Sequence, residues 1–274
     1  MVNITQQVQA ASSAQPDWLQ KKRQLASMLL TRFSNEDLGA DWVAAWQQQP
    51  QLEWLHESAE ESTGTVFNQP LDQATVSYPA LCQENLMEKG LFWQDKQINA
   101  LHLALLNGGR LIYLPDQTRP DRPLKLQGTI TASNYHTLLI AGANSVLQLQ
   151  DQRQFVSGQP GMMGLEILLG RNARVQYQWD AKCQMAATYF GLGFYQAQDS
   201  SLMLTLAGQN GLRSVVDLKD ELDGQGSRVQ LTIGGLAHQS MLRSQIDSGG
   251  ASSKAKLLTL AADKKFQCND HFRS

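Results

Sequence analysis

The residues of this chain best suited to chemistry are few and scattered. Cys268 and His271 stand three positions apart, and a thiolate and an imidazole at that spacing could supply two ligands to one soft or borderline metal ion. A structural zinc site takes four ligands, and no other Cys or His lies near in sequence, so the pair describes half a site. Cys82 and Cys183 are bounded by apolar and small residues, the setting of an inert core thiol. His56, Glu57 and Glu60, with Glu53 and Glu61 beside them, fall within a turn or so of helix and could gather a divalent ion. A solvated acidic helix face beside Trp54 is the commoner meaning of such a run.

Asp217, Asp220, Glu221 and Asp223, with Arg213 and Arg228 nearby, form the one acidic group that could hold a hard cation and act on a sugar acid. Their spacing fits no EF-hand loop, and a solvated corner accounts for them as well. His102 lies on the apolar face of a helical segment, where a hydrogen-bonded core imidazole is the default, and His136 and His238 stand alone at strand edges or turns. Gly158-Gln-Pro-Gly161-Met-Met-Gly164 has no Lys-Ser or Lys-Thr behind it, so it reads as a flexible turn rather than a phosphate loop. There is no G-x-S-x-G elbow and no H-E-x-x-H helix, so no catalytic residue is assigned and the chain is expected not to be an enzyme.

Two kinds of element must position these residues. The N-terminal third reads as helical. Pro16 opens a helix with Trp18, Leu25 and Leu29 at helical spacing and Leu19, Leu30 and Phe33 beside them, Ser34 and Asp37 open a second with Leu38, Trp42 and Trp46, and Asp95 caps a third with Ile98, Leu101, Leu105 and Leu106, stopped by Asn107-Gly108-Gly109. Residues 63–79 read as an extended connector. After Gly109 the helical period disappears and short strands follow, among them 110–114, 124–131, 137–141, 145–149, 165–169, 174–179, 201–206, 212–218 and 228–233. A recurring phrase, apolar run, Gly, Asn or Gly, apolar run, places corners at Gly142, Gly170, Gly208 and Gly224, at spacings too uneven for a strict-period array. Asn210-Gly211 favours a hairpin while the repeated corner favours stacked parallel coils, and local signals leave both open.

The 274 residues are 42% hydrophobic and can bury a full core. With 23 basic and 25 acidic residues well mixed, the net charge of -2 offers no basic footprint for nucleic acid. No apolar run approaches the length needed to span a bilayer, the start lacks the marks of an export signal, and three widely separated cysteines suit a reducing compartment, so a cytoplasmic location is expected.

The stretch from Ile98 to Pro115, followed by Arg122-Pro-Leu-Lys-Leu126, resembles the SufB/SufD family of iron-sulphur cluster assembly proteins. So does the run Arg213 to Gly235, through its L-x-G-x-G-S pattern before a strand, and Pro16-Asp-Trp-Leu with Arg23 and Leu25 is similar to the family's opening helix on its SufD side. The resemblance implies a mainly β protein, a right-handed parallel β-helix over 109–274 behind a helical region over 1–108. It also implies a non-catalytic SufD-like subunit working with a SufB-like subunit and a SufC-type ABC ATPase, with any iron-sulphur cluster held by the complex and no cofactor in this chain. Family members continue through further coils to a C-terminal helical segment with a Ser/Cys-His-Gly motif that has no counterpart here. The chain is therefore expected to pair, with itself or a SufB-like partner, through solenoid edges near Arg243 to Phe266. A cation-dependent polysaccharide-active enzyme built on Asp217 to Asp223, and a cofactor-free interaction scaffold, are the alternative expectations.

Overall fold

Short apolar strands that end in residues accepting positive φ stack in register, and beyond Gly108 the chain is a parallel β-solenoid. The computed structural model describes residues 8, 15–30, 32–33, 54–55, 65–156, 160–180, 182–184, 188–207, 214–222, 225–234, 241–248, 254–260 and 267–273. The first sheet is β1 (Phe67–Pro70), β2 (Gly108–Leu114), β5 (Asn134–Ala141), β8 (Gly161–Leu169), β11 (Thr188–Gln196), β13 (Ser214–Leu222), β15 (Met241–Ser248) and β17 (Gln267–Arg273), in that order. The second runs β3 (Leu124–Leu126), β6 (Val146–Asp151), β9 (Arg174–Trp179), β12 (Ser201–Leu206), β14 (Arg228–Gly234) and β16 (Lys254–Leu260). A small third sheet stacks β4 (Thr129–Ile130), β7 (Gln154–Val156) and β10 (Lys182–Gln184). Every neighbouring pair is parallel except β1, which closes the first edge antiparallel to β2.

Each coil turns a corner on one left-handed residue: Gln117, Asn144, Asn172, Asp199 and Gly226, 27 or 28 positions apart. The corners stack through backbone bonds, Gln117 N to Ala143 O, Asn144 N to Arg171 O, Asn172 N to Gln198 O and Asp199 N to Gln225 O, and Asn172 Nδ2 donates to Asn144 Oδ1 at 3.1 Å. The array is thus close to periodic, contrary to the uneven spacing of the glycine phrase. Gly142 and Gly170 do lie at corners, but the left-handed position follows two residues later; Gly208, Gly224 and Asn210-Gly211 lie outside the described residues.

The two large sheets differ in burial. Strands of the second alternate, as β9 does from exposed Arg174 to buried Trp179, because one face meets solvent. In the first, every residue of β8 is buried and β2, β5 and β11 each have a single half-buried position. Its inner face, with Leu139, Ile167 and Phe194 in register, fills the solenoid interior. Its outer face, with Leu111, Leu138, Leu168 and Tyr189, packs under the helices.

Those helices are α1 (Asp17–Leu29), α2 (Leu71–Ser77), α3 (Pro79–Asn85) and α4 (Gln97–Leu105). On α1 the inward face is Leu19, Lys22, Arg23, Ala26 and Ser27, Trp18 and Leu29 pack partly buried against the same core, and Leu25, at 53% exposed, is the expected face residue that turns away. The connector expected over 63–79 is instead β1 and α2, ordered by Pro70 at the helix start and by burial of Leu71, Ala74 and Thr75. Asp95 makes no cap; Lys96 occupies the N-cap of α4. Gly108 and Gly109 do not end that helix in a left-handed turn but open β2. The expected second helix, 34–46, lies outside the described residues.

Candidate buried relay between helices and solenoid

On the outer face of the first sheet, His136 of β5 lies beside Gly164 of β8, and Glu166 follows two residues on, one row further along the same face. His136 Nε2 donates to Glu166 Oε2 at 3.0 Å, and His102 of α4 meets His136 Nδ1 through its own Nε2 at 3.1 Å. All three residues are buried. The second carboxylate side is taken by backbone: Met87 N donates to Oε2 at 2.5 Å, and Gly90 N and Leu91 N donate to Oε1 at 3.2 and 2.9 Å. Four donors converge on two oxygens, a set that an ionised carboxylate accepts in full. With His136 donating through Nε2 and accepting at Nδ1, the hydrogen-bond network assigns the His102 proton to Nε2, and His102 Nδ1 keeps a buried lone pair without a partner. Burial, and secondarily the His136 ring, hold His102 well below its ordinary value of 6.5.

The segment that Glu166 grips, residues 86–95, is a strap across the sheet. Met87 adopts a left-handed φ of 55° within it, an uncommon state for a long side chain. Gly90 lies against Gly193 of β11 so closely that a Cβ on Gly193 would stand 2.2 Å from the Gly90 carbonyl carbon. A Cβ on Gly164 would stand 2.2 Å from His136 Nδ1 and 2.7 Å from His102 Nε2, so the bare backbone there is what admits the two rings. Glu88 Oε1 pairs with Lys22 Nζ of α1 at 2.6 Å and accepts Trp93 Nε1 at 3.0 Å, while Lys22 Nζ also donates to Leu86 O at 2.5 Å. Lys219 Nζ of β13 reaches Asp95 Oδ2 at 3.1 Å and lies 4.2 Å from the Phe92 ring centroid. Burial lowers the Lys22 ammonium, against the pull of Glu88, and pushes the nearby Cys82 thiol up to about 12. A thiol held protonated is a poor nucleophile and a poor metal ligand.

A second buried network lies inside the solenoid. Arg153 Nε and Nη2 donate to Asp151 Oδ1 and Oδ2 at 2.8 and 2.6 Å, Nη1 donates to the Tyr135 hydroxyl at 2.8 Å, and the Tyr177 hydroxyl donates to Asp151 Oδ2 at 2.7 Å. The guanidinium lies over the Tyr135 and Phe155 rings. Burial opposes its charge, but Asp151 and the hydroxyls hold Arg153 well above its usual value, and burial followed by Asp151 pushes Tyr177 up.

Sequence reasoning placed His102 correctly as a hydrogen-bonded core imidazole. It misplaced His136, which is inside β5 rather than at an edge, and Gly161 and Gly164, which belong to β8 rather than to a flexible turn. It missed Glu166, Asp151 and Arg153; the one usable signal was a single carboxylate in the otherwise apolar strand Gly-Met-Met-Gly-Leu-Glu-Ile-Leu-Leu. Cys268 and His271 both fall on β17, Cys268 in register with Leu242, Val216 and Phe190, His271 in register with Gln245, Lys219 and Gly193; their side chains are outside the described ones. Asp217, Asp220 and Glu221 belong to β13, in mid-sheet rather than at a corner, and Arg213, Asp223, His238, Cys183 and the acidic group around His56 have no described side chain. Among the described residues no group of three or more His, Cys, Asp or Glu is placed to hold a metal ion, and no helix is long and apolar enough to cross a membrane.

No family model matches the chain. Over 173 residues it is similar, at 25% identity, to the iron-sulfur cluster assembly protein SufD of Bacillus subtilis, across 60% of this chain and 39% of that protein. The match therefore spans about two fifths of the length of this curated relative. At that level the likeness is to the SufB/SufD family and no finer.

Proposed function

We propose that this chain is a SufD-like, non-catalytic subunit of a complex that assembles iron-sulphur clusters in the cytoplasm, standing beside a SufB-like subunit and a SufC-type ABC ATPase. The observation that carries the reading is the likeness to SufD over 173 residues. The parallel β-solenoid behind a helical region, the fold that the resemblance implies, supports it. The relay and the interior ion pair fit a framework role, since their polar atoms are consumed in holding the layers together and present no nucleophile to solvent. In this reading a cluster belongs to the complex. Cys268 and His271 are this chain's candidate contacts to iron, but three apart on strand β17 they occupy positions of opposite parity and would be separate contacts rather than one two-ligand site.

The test is co-expression with SufB-type and SufC-type proteins, affinity purification through this chain, and anaerobic loading with iron and sulphide. Co-purification of the SufB-type protein, with cluster absorbance in the complex and none in the isolated chain, is expected. Failure to associate would refute the subunit reading. A stoichiometric cluster on the isolated chain, lost in Cys268→Ala, would place cluster binding in this chain instead.

A further inference from the structure

The carboxylates of the solenoid strands are divided unevenly between the two large sheets, although the whole sequence looks evenly mixed. The strands of the first sheet carry Glu166, Asp217, Asp220, Glu221, Asp247 and Asp270 beside the cations Arg110, Lys219, Arg243 and Arg273. The six strands of the second carry one carboxylate, Asp151, which is buried in its pair with Arg153. On the outward rows of that second sheet stand Lys125, Arg174 and Arg228, all exposed; the backbone register of β16 sets Lys254 opposite Arg228 and Lys256 opposite Gln230. Among the described side chains, three exposed cations and no outward carboxylate thus share one face of a protein whose net charge is -2. Two exposed acids border the face: Asp180, one residue beyond β9, which accepts Gln178 Nε2 at 2.8 Å, and Asp199 at the corner two residues before β12.

Between the cations the face is neutral and able to hydrogen-bond. Gln148, Gln176 and Gln230 lie in one row, and Gln150 and Gln178 in the next. Met203, 43% exposed, sits in the middle of the Gln148 row between Gln176 and Gln230. An exposed methionine between two amides across the sheet and two hydroxyl side chains along its strand, with Arg174 and Arg228 diagonal to it, has the anatomy of a protein interface, apolar at the centre and polar toward the rim. Nucleic acid is a poorer match, because no outward position of these strands is aromatic and the cations are separated by neutral side chains.

We infer that this face docks a protein partner through an acidic surface. Six strands about 4.8 Å apart and about 20 Å long give roughly 500 Å². That is below the roughly 800 Å² per partner of a standard stable interface, so the contact is weak, steered by charge and sensitive to salt. The inference does not depend on the cluster-assembly reading.

The test uses the full chain and a fluorescein-labelled polyglutamate peptide as a surrogate acidic surface, with binding read by anisotropy at low and physiological ionic strength. Arg174→Glu/Arg228→Glu reverses two exposed charges of the face, and Lys21→Glu/Arg32→Glu, exposed on the helical side, makes the same change of net charge elsewhere. Circular dichroism and melting verify that both variants fold. Polyglutamate is expected to bind at low salt, to weaken with salt, and to lose about tenfold or more in the face variant with little change in the helical-side variant. Absence of binding at low salt, or equal loss in the two variants, would overturn the inference. Tighter binding of a DNA duplex of matched charge would also overturn it, in favour of a nucleic-acid face.

Discussion

Glu166→Gln is the most informative single perturbation, because it changes one oxygen to nitrogen and leaves the side-chain shape intact. In the native arrangement Oε2 accepts from Met87 N and His136 Nε2, and Oε1 from Gly90 N and Leu91 N. An amide can keep one oxygen on one of these pairs and must turn its NH₂ toward the other, which confronts two buried donors with a third. His136 can escape by moving its proton to Nδ1, but His102 must then move its own proton to a nitrogen that has no acceptor. Met87 N has no such escape. With each buried unsatisfied donor costing about 1–3 kcal/mol, the variant is expected to lose about 2–4 kcal/mol. Urea denaturation reads this as a lower midpoint at unchanged slope. Hydrogen exchange should show faster exchange of the Met87, Gly90 and Leu91 amides even below the transition. A midpoint within the equivalent of about 0.5 kcal/mol of the parent, with those three amides still protected, would refute the view that Glu166 ties the strap to the sheet.

Because burial depresses His102 below 6.5, the unfolded chain takes up its proton first as pH falls; its contribution is complete above that value and is lost below it. Stability is expected to drop by about 1 kcal/mol between pH 7 and 5.5, and His102→Gln should flatten that slope in denaturation curves run at each pH. Gly164→Ala drives a methyl into both histidine rings and is expected to cost about 3 kcal/mol or more, visible as a lowered melting temperature, whereas Ala substitution at the exposed Gln176 should be near neutral. Asp151→Asn leaves the Arg153 cation buried without its counter-charge and should destabilise by about 3–5 kcal/mol in the same assay. Cys82, buried with its thiol pushed up to about 12, should resist iodoacetamide in the folded chain at pH 8 and react once urea unfolds it, as mass spectrometry of its peptide would report.

What could be read from sequence depended on how many faces of a strand are buried. Arg174 to Trp179 alternates because only one face is covered, and it was recognised; Thr188 to Gln196, aromatic and glycine-rich with both faces buried, has no alternation to read and was missed. The corner signal was distorted because one backbone state, positive φ, is filled in turn by Gln117, Asn144, Asn172, Asp199 and Gly226, while the eye follows glycine. Glu166 was invisible because its partners are backbone N–H groups 75 to 79 residues away, and peptide groups leave no mark in a sequence. His102 was placed correctly because its role follows from the apolar face of its own helix, but its partner required knowing which strands stack.

The double burial of the first sheet bears on how the chain comes to be made. A parallel sheet with apolar residues on both faces is, before its cover arrives, a broad sticky surface in a slow-folding topology. Here α1 to α4 precede β2 in the chain, so during synthesis the cover is finished before the first parallel strand leaves the ribosome. Each new coil can then be received between an existing helical layer and the preceding strand. Moving the helical region to the end of the chain by circular permutation would reverse that order, exposing Leu138, Met162, Leu168 and Tyr189 until translation ended; such a permutant should aggregate during expression while keeping the same native contacts once refolded.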